Sequence, residues 1–193
     1  MANKIQHGIC ELWFYKRNAD GTYEAGYHQK GAESFNMSNS GSGNFTVWAD
    51  NGKYHNEAGS SGKEGDLQVA KFDPWYYENA LGQTVDENGG IADNYGAETG
   101  EFGMAFQLEG DKGGRRVFLY GCTGTNPTFT AQTDSDSKTE SSETSTITSG
   151  YVDVPETSNN ETTTTKRCMF SCEKGHPLYD TFFTAPPHAT IAP

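Results

Sequence analysis

The stretch FGMAFQLEGDKGGRRVFLYGCT, Phe102 to Thr123, limits the fold more than any other, because it alternates, turns and alternates again. Phe102, Met104, Phe106 and Leu108 fall on one face of an extended chain, with Gly103, Ala105, Gln107 and Glu109 on the other. That period of two belongs to a strand with one apolar side, so the expectation is a sheet buried on a single face. GDKGG then supplies residues that accept positive φ, and the chain reverses into RRVFLYGCT as an antiparallel hairpin. ICELWFYKR and DLQVAKF have a similar content of large apolar residues and read as further strands.

One short helix is expected, in DPWYYENALG. Asp73 stands where a side chain can accept from the free amides of the first turn, Pro74 suits the first helical position, and Gly82 can close the helix in a left-handed conformation. Trp75, Tyr76 and Ala80 would share the face turned to a sheet. Two stretches look different. About 21–65 is dominated by Gly, Ser, Asn and charges and reads as a long polar loop. About 133–165 is rich in Ser and Thr. Within it SETSTITSG alternates, with Thr144, Thr146 and Thr148 on one side and Ser145, Ile147 and Ser149 on the other. A strand polar on both faces has no ordinary core to cover and suits an edge, or a surface lined with water. The ending APPHATIAP reads as an exposed extended tail.

The 193 residues suit one domain, 1–193, and with 33% apolar but 12% aromatic residues the core expected is small, aromatic and set in thin sheets. A net charge of −12 disfavours a protein that grips nucleic acid, which needs clustered Lys and Arg, though not a surface past which nucleic acid slides. No apolar run approaches the ~20 residues of a membrane span, and the first residues lack the apolar region of a signal peptide, so a cytosolic product with thiol cysteines is expected.

No segment carries a convincing catalytic grouping. Cys168, Cys172 and His176 have a spacing open to zinc, but a fourth ligand is missing. Asp86 and Asp93 lie in a segment that resembles a calcium loop in composition only. The glycines before Arg115 open a strand rather than a helix, unlike a phosphate cradle. Glu64 and Asp66 are a carboxylate pair of the solvated kind. The reading is of a protein that is not an enzyme and has no metal and no cofactor.

Taken in order, FTVWADNGKYH, GKEGDLQVAKF, DPWYYENALG, DENGG, FGMAFQLEGDKGGRRVFLYGCTGTNPTF and SETSTITSG resemble the major tail protein, the tail tube subunit, of long-tailed bacteriophages of Gram-positive hosts. The similarity runs from about Phe45 to Gly150. It implies a mainly β fold, an antiparallel two-sheet sandwich or open barrel with one flanking helix and long polar loops. It also implies self-assembly into stacked, hexameric rings whose inner strands form a conduit for the genome, in a virion assembled in the host cytoplasm. The partners implied are copies of the chain, the tape measure, terminator and distal tail proteins, and DNA that passes without specific binding. No membrane anchor is implied. On that reading Asn51 and Tyr54 in the long loop, with Asp111, Lys112, Arg115 and Arg116 at the hairpin, are candidates for contacts between subunits or rings. Glu140, Glu143, Thr144, Thr146 and Thr148 are candidates for the lumen. The alternative is an all-β carbohydrate- or ligand-binding module that uses Trp13, Trp48 and Trp75.

Overall fold

A computed structural model describes residues 7–40, 43–49, 52–59, 62–110, 113–129, 141–158, 161–188 and 190–191. The chain forms β1 (His7–Lys16), β2 (Tyr27–Gln29), β3 (Ala32–Asn39), β4 (Gly43–Ala49), β5 (Gly52–Gly59), β6 (Lys63–Val69) and the helix α1 (Pro74–Asn79). It continues through β7 (Thr84–Val85), β8 (Ile91–Ala92), β9 (Phe102–Glu109), β10 (Arg116–Gly124), β11 (Thr128–Phe129) and β12 (Glu143–Ser149). The last strands are β13 (Val152–Ser158), β14 (Glu161–Arg167), β15 (Met169–Cys172) and β16 (Thr190–Ile191). At 52% strand and 4% helix, the fold is mainly β, and the described residues form one large antiparallel sheet and one short helix, with no closed barrel among them.

The large sheet runs β2-β1-β9-β10-β12-β6-β3. Its ends curl together until β3 lies alongside β1 without pairing to it. The concave side holds Leu12, Phe14, Leu67, Val69, Phe102, Met104, Phe106, Leu119 and Ile147, all buried. α1 sets Tyr76 and Ala80 into this space. Phe14 stacks on Trp75 at 5.7 Å and Phe72 on Tyr76 at 4.4 Å, offset arrangements that add to the area they bury. Pro74 opens the helix as expected, and Gly82 follows it at φ +66°. Asp73 departs from expectation: it makes no side-chain cap, and its carboxylate accepts from the Tyr27 hydroxyl instead, at 3.2 Å.

The β9–β10 hairpin forms, antiparallel, with Arg116 opposite Gln107 and Val117 opposite Phe106. Its sheet is not buried on one face only, because Phe102 through Phe106 are all buried. The second face is covered by Tyr15, Phe118, Tyr120, Val154, Cys172 and Phe182, which form a separate apolar cluster. Phe182 belongs to a strap of successive turns that runs from Glu173 to the C-terminal strand β16. Residues 185–188 and 190–191 of the ending are therefore held against the body rather than forming an exposed tail. Tyr120 donates to the Pro187 carbonyl at 2.5 Å, Tyr15 to that of Phe183 at 2.8 Å, and β16 pairs in parallel with β13. Backbone carbonyls matched to buried hydroxyls hold a segment whose own sequence lacks any strand pattern.

The segment 21–65 is a correction too. It contains β2, β3, β4, β5 and the start of β6 rather than a loop. β3 pairs with β6, and β4 with β5, so 32–69 is one nested hairpin. Residues as polar as AESFNMSN form a strand because β6 supplies the ladder and Phe35 packs on the core, which outweighs weak intrinsic preference.

β10 is where the two sheets part. One of its margins pairs with β9; the other pairs with β15 over Arg116–Leu119 and with β12 over Cys122–Gly124. At the fork the β9 register slips between Leu119 and Cys122, and Gly121 adopts φ +52°. A Cβ there would lie 2.4 Å from Val152 Cγ1, so both conformation and space require glycine. The Ser149 hydroxyl stands 2.7 Å from the Tyr120 carbonyl and 3.0 Å from that of Cys168, joining the branches. β14, which the chain continues into β15, pairs with β13 to make the smaller sheet β14-β13-β16.

Candidate assembly surfaces

β12 is not an edge strand. It lies between β10 and β6, and the face bearing Ser145, Ile147 and Ser149 is buried. The serines are tolerated there because their hydroxyls are satisfied. Ser145 donates to the Thr125 carbonyl at 2.8 Å and stands 2.7 Å from the Tyr76 hydroxyl. A polar strand thus covers a core after all.

The opposite face of β12 carries Thr144, Thr146 and Thr148, and the pairing extends it across two more strands. Thr148 faces Glu64, which faces Ser38; Thr146 faces Asp66, then Asn36; Thr144 faces Gln68, then Ser34. Directly paired residues share a face, so these three rows make one convex surface of hydroxyl, amide and carboxylate groups with no cation among them. Thr146 donates to Asp66 at 2.8 Å and Ser34 to Gln68 at 3.2 Å. Glu64 and Asp66, weighed above as an acid/base pair, stand exposed on this surface.

Glu143 does not join it. It pairs with Val69 on the core-facing register, and its carboxylate accepts from the Phe72 amide at 2.7 Å and the Tyr77 hydroxyl at 3.4 Å. Burial and that carboxylate together push the Tyr77 hydroxyl up to about 12. Glu140, Asn51, Asp111 and Lys112 lie outside the described residues, and Tyr54 falls within β5.

Arg115 and Arg116 are engaged within the chain. Arg115 donates to the Ser171 hydroxyl at 3.2 Å. Arg116 donates through Nε to Gln107 at 2.9 Å and through its terminal nitrogen to the Tyr179 carbonyl, and it lies over the rings of Tyr179 at 3.9 Å and Phe183 at 4.6 Å. Arg116 clamps the C-terminal strap while Arg115 ties the hairpin to β15, roles that their sequence neighbours do not reveal.

The sheets have unequal margins. The large sheet ends in the three-residue β2 on one side and the eight-residue β3 on the other. The smaller sheet ends in the two-residue β16 and the seven-residue β14. β14 therefore presents a long row of backbone donors and acceptors without a strand partner among the described residues, whereas β3, equally unpaired on that side, is flanked over part of its length by β1. Such a row is a template for another strand.

The remaining sequence candidates have local uses. Asp86 accepts from the amides of Asn88 at 2.8 Å and Gly90 at 2.7 Å and so closes the β7–β8 turn. Cys168 and Cys172 are buried, His176 is exposed, and no three His, Cys, Asp or Glu residues are grouped to hold a metal among the described residues. Burial pushes the thiols of Cys122 and Cys172 up, and burial with Glu109 pushes Cys10 up to about 11, so these three are protonated at neutral pH. Trp13 stacks between His28 at 4.7 Å and Phe183 at 6.0 Å, and Trp75 between Phe14 and Tyr27 at 5.7 Å each. No helix among the described residues is long and apolar enough to cross a membrane. No protein-family model matches the chain, and a search of curated proteins finds none significantly similar.

Proposed function

We propose that the protein is a structural subunit that self-assembles through its sheet margins into stacked rings, a tube of the phage tail type. One observation carries this reading: the cation-free surface of β12, β6 and β3 runs directly to the outer margin of β3, which has no strand partner among the described residues. Repeating that surface around a ring would line a bore with hydroxyls and carboxylates. Duplex DNA inside would find no clustered cations with which to exchange counterions, so it would pass without adhering. Repulsion between phosphate and carboxylate fades within about 8 Å at physiological salt, which keeps it a surface effect rather than a barrier.

The nested hairpin 32–69 supports the reading as well, since it extends the same strands beyond the large sheet as a candidate contact between rings. Rings of six, a virion location and contacts with tape measure, terminator and distal tail proteins follow from the resemblance and belong to the same proposal. Electron microscopy of the concentrated purified protein tests it. Rings or hollow tubes are expected, and a protein that stays monomeric at every concentration overturns the assignment.

A further inference from the structure

We infer that the protein also carries a binding site for a neutral sugar, in the cleft between the loop 93–99 and the turn 124–126. The cleft measures about 400 Å³, within the ~300–1,000 Å³ usual for small-molecule sites. Gln83 lines it and is buried, although its side chain is polar. The Gln83 amide nitrogen donates to the Asp93 carboxylate at 3.2 Å and to the side-chain carbonyl of Asn126 at 2.7 Å. Both of its hydrogens are thereby used, and one residue from each wall is held in a set orientation. The second carboxylate oxygen of Asp93 and the amide nitrogen of Asn126 have no hydrogen bond among the described residues. A fixed acceptor thus stands beside a fixed donor.

Both walls are anchored by the fold. The Thr125 amide donates to the Thr146 carbonyl at 3.1 Å, and a Cβ on Gly124 would overlap the Tyr76 hydroxyl, so this turn is pressed against the core. On the other side the Gly100 amide donates to the Ala80 carbonyl at 3.0 Å, and a Cβ on Gly82 would overlap the Glu98 carbonyl. The Asn94 side chain donates to the Thr84 hydroxyl at 2.7 Å. Open space surrounds the tip alone: Tyr95 is wholly exposed, and a Cβ on Gly96, at φ +74°, would meet nothing within 4 Å. With its polar groups already in place, such a site loses little ordering entropy when a ligand arrives.

The lining decides the ligand class. Among the described residues it contains one carboxylate, Asp93, and no Lys or Arg, so a phosphate or carboxylate would find no countercharge. A divalent cation takes about 6–8 oxygens, and here the nearest oxygens of Asp93 and Asn126 already face the positive end of the Gln83 amide. Leu81 and Ala97 are too few to cover a lipid chain. A pyranose meets each requirement: one hydroxyl donates to Asp93, a neighbouring one accepts from Asn126, and the C–H face of the ring lies on Tyr95. The sugar is neutral, because an acidic one would be repelled by Asp93 and by a chain of net charge −12. Trp13 and Trp75 are stacked on neighbours within the chain and take no part.

The site is independent of self-assembly and is tested on the full-length protein before it is concentrated. The protein is passed over immobilised neutral and sialylated oligosaccharides, and the sugars retained are titrated as methyl glycosides by ligand-observed NMR. Tyr95→Ala, at a wholly exposed position, and Asp93→Asn, which keeps an oxygen for the Gln83 amide, are run alongside, with circular dichroism as the check of folding. Neutral sugars are expected to bind and sialylated ones not, with affinity weakened about tenfold by either substitution. A sugar that both variants hold as tightly as the unsubstituted protein binds elsewhere and overturns the site. Retention of no neutral sugar overturns it as well, as does equal retention of the sialylated ones. Each of these failures leaves rings and tubes expected as before.

Discussion

The two halves of the large sheet use the same ladder and are covered in opposite ways. β1, β9 and β10 are packed on both faces, by α1 and the apolar interior on one side and by the C-terminal strap on the other. Among the described residues β12, β6 and β3 are packed on the concave face alone, and the paired positions of their convex face carry polar groups. The covered half holds its shape through aromatic burial within the chain. The half with the bare face derives little stability from it, so the composition of that face is free to serve a contact with something outside.

Alkali separates the halves most strongly. Burial pushes the hydroxyl of Tyr23 up to about 12, that of Tyr77 to about 12, and those of Tyr15, Tyr76 and Tyr120 up as well, from an ordinary value of 10. A hydroxyl whose value is raised in the folded state contributes stability that is complete below pH 10 and is lost as pH rises through 12, because the unfolded chain releases its proton first. Unfolding across that window is expected, with amide exchange opening β1, β9 and β10 as tyrosinate absorbance appears. β12, β6 and β3 contain no tyrosine, although Ser145 and Glu143 of β12 bond to the hydroxyls of Tyr76 and Tyr77, so β6 and β3 are the strands expected to open last.

Among substitutions, Phe118→Ala, which empties a fully buried ring position between Tyr15, Tyr23 and Tyr120, is expected to cost about 3–5 kcal/mol by denaturant titration. Arg116→Ala removes a charged hydrogen bond and two cation–ring contacts at the strap. A loss of about 2 kcal/mol is expected, together with faster proteolysis between residues 176 and 188; unchanged proteolysis would show that the clamp does not hold the strap. Ser145→Ala leaves the buried Tyr76 hydroxyl with only its long bond to the Thr125 carbonyl at 3.4 Å and should cost about 1 kcal/mol, and the double variant with Tyr76→Phe should recover part of it. Thr148→Ala on the bare face should stay within about 0.5 kcal/mol. A cost as large as that of Ser145→Ala would erase the distinction between the halves.

The sequence made the covered half legible and the bare half only partly so. The β9–β10 hairpin announces itself because its apolar period and glycine turn are both local. Pro74 and Gly82 likewise bound the helix without help from elsewhere. The strands in 21–65 are hidden because each exists for its partner, β1 for β2, β6 for β3 and β4 and β5 for one another, and the pairing of one polar strand with another leaves no periodic signal. The alternation of SETSTITSG separated its two faces correctly, yet the burial of Ser145 and Ser149 depends on acceptors at Thr125, Tyr120 and Cys168. Arg116 stands out in the sequence by its charge, but the rings it covers, Tyr179 and Phe183, lie more than sixty residues downstream.

The fork at β10 has a mechanical corollary. A pull on β3 travels through β6 and β12 into β10, and from there through β15 into β14, across backbone hydrogen bonds and peptide links at every step. No yielding side-chain contact interrupts that route. If neighbours are fastened at its two ends, hoop tension would be borne by ladders loaded edge to edge, and Gly121 would sit at the knot where the strain is shared.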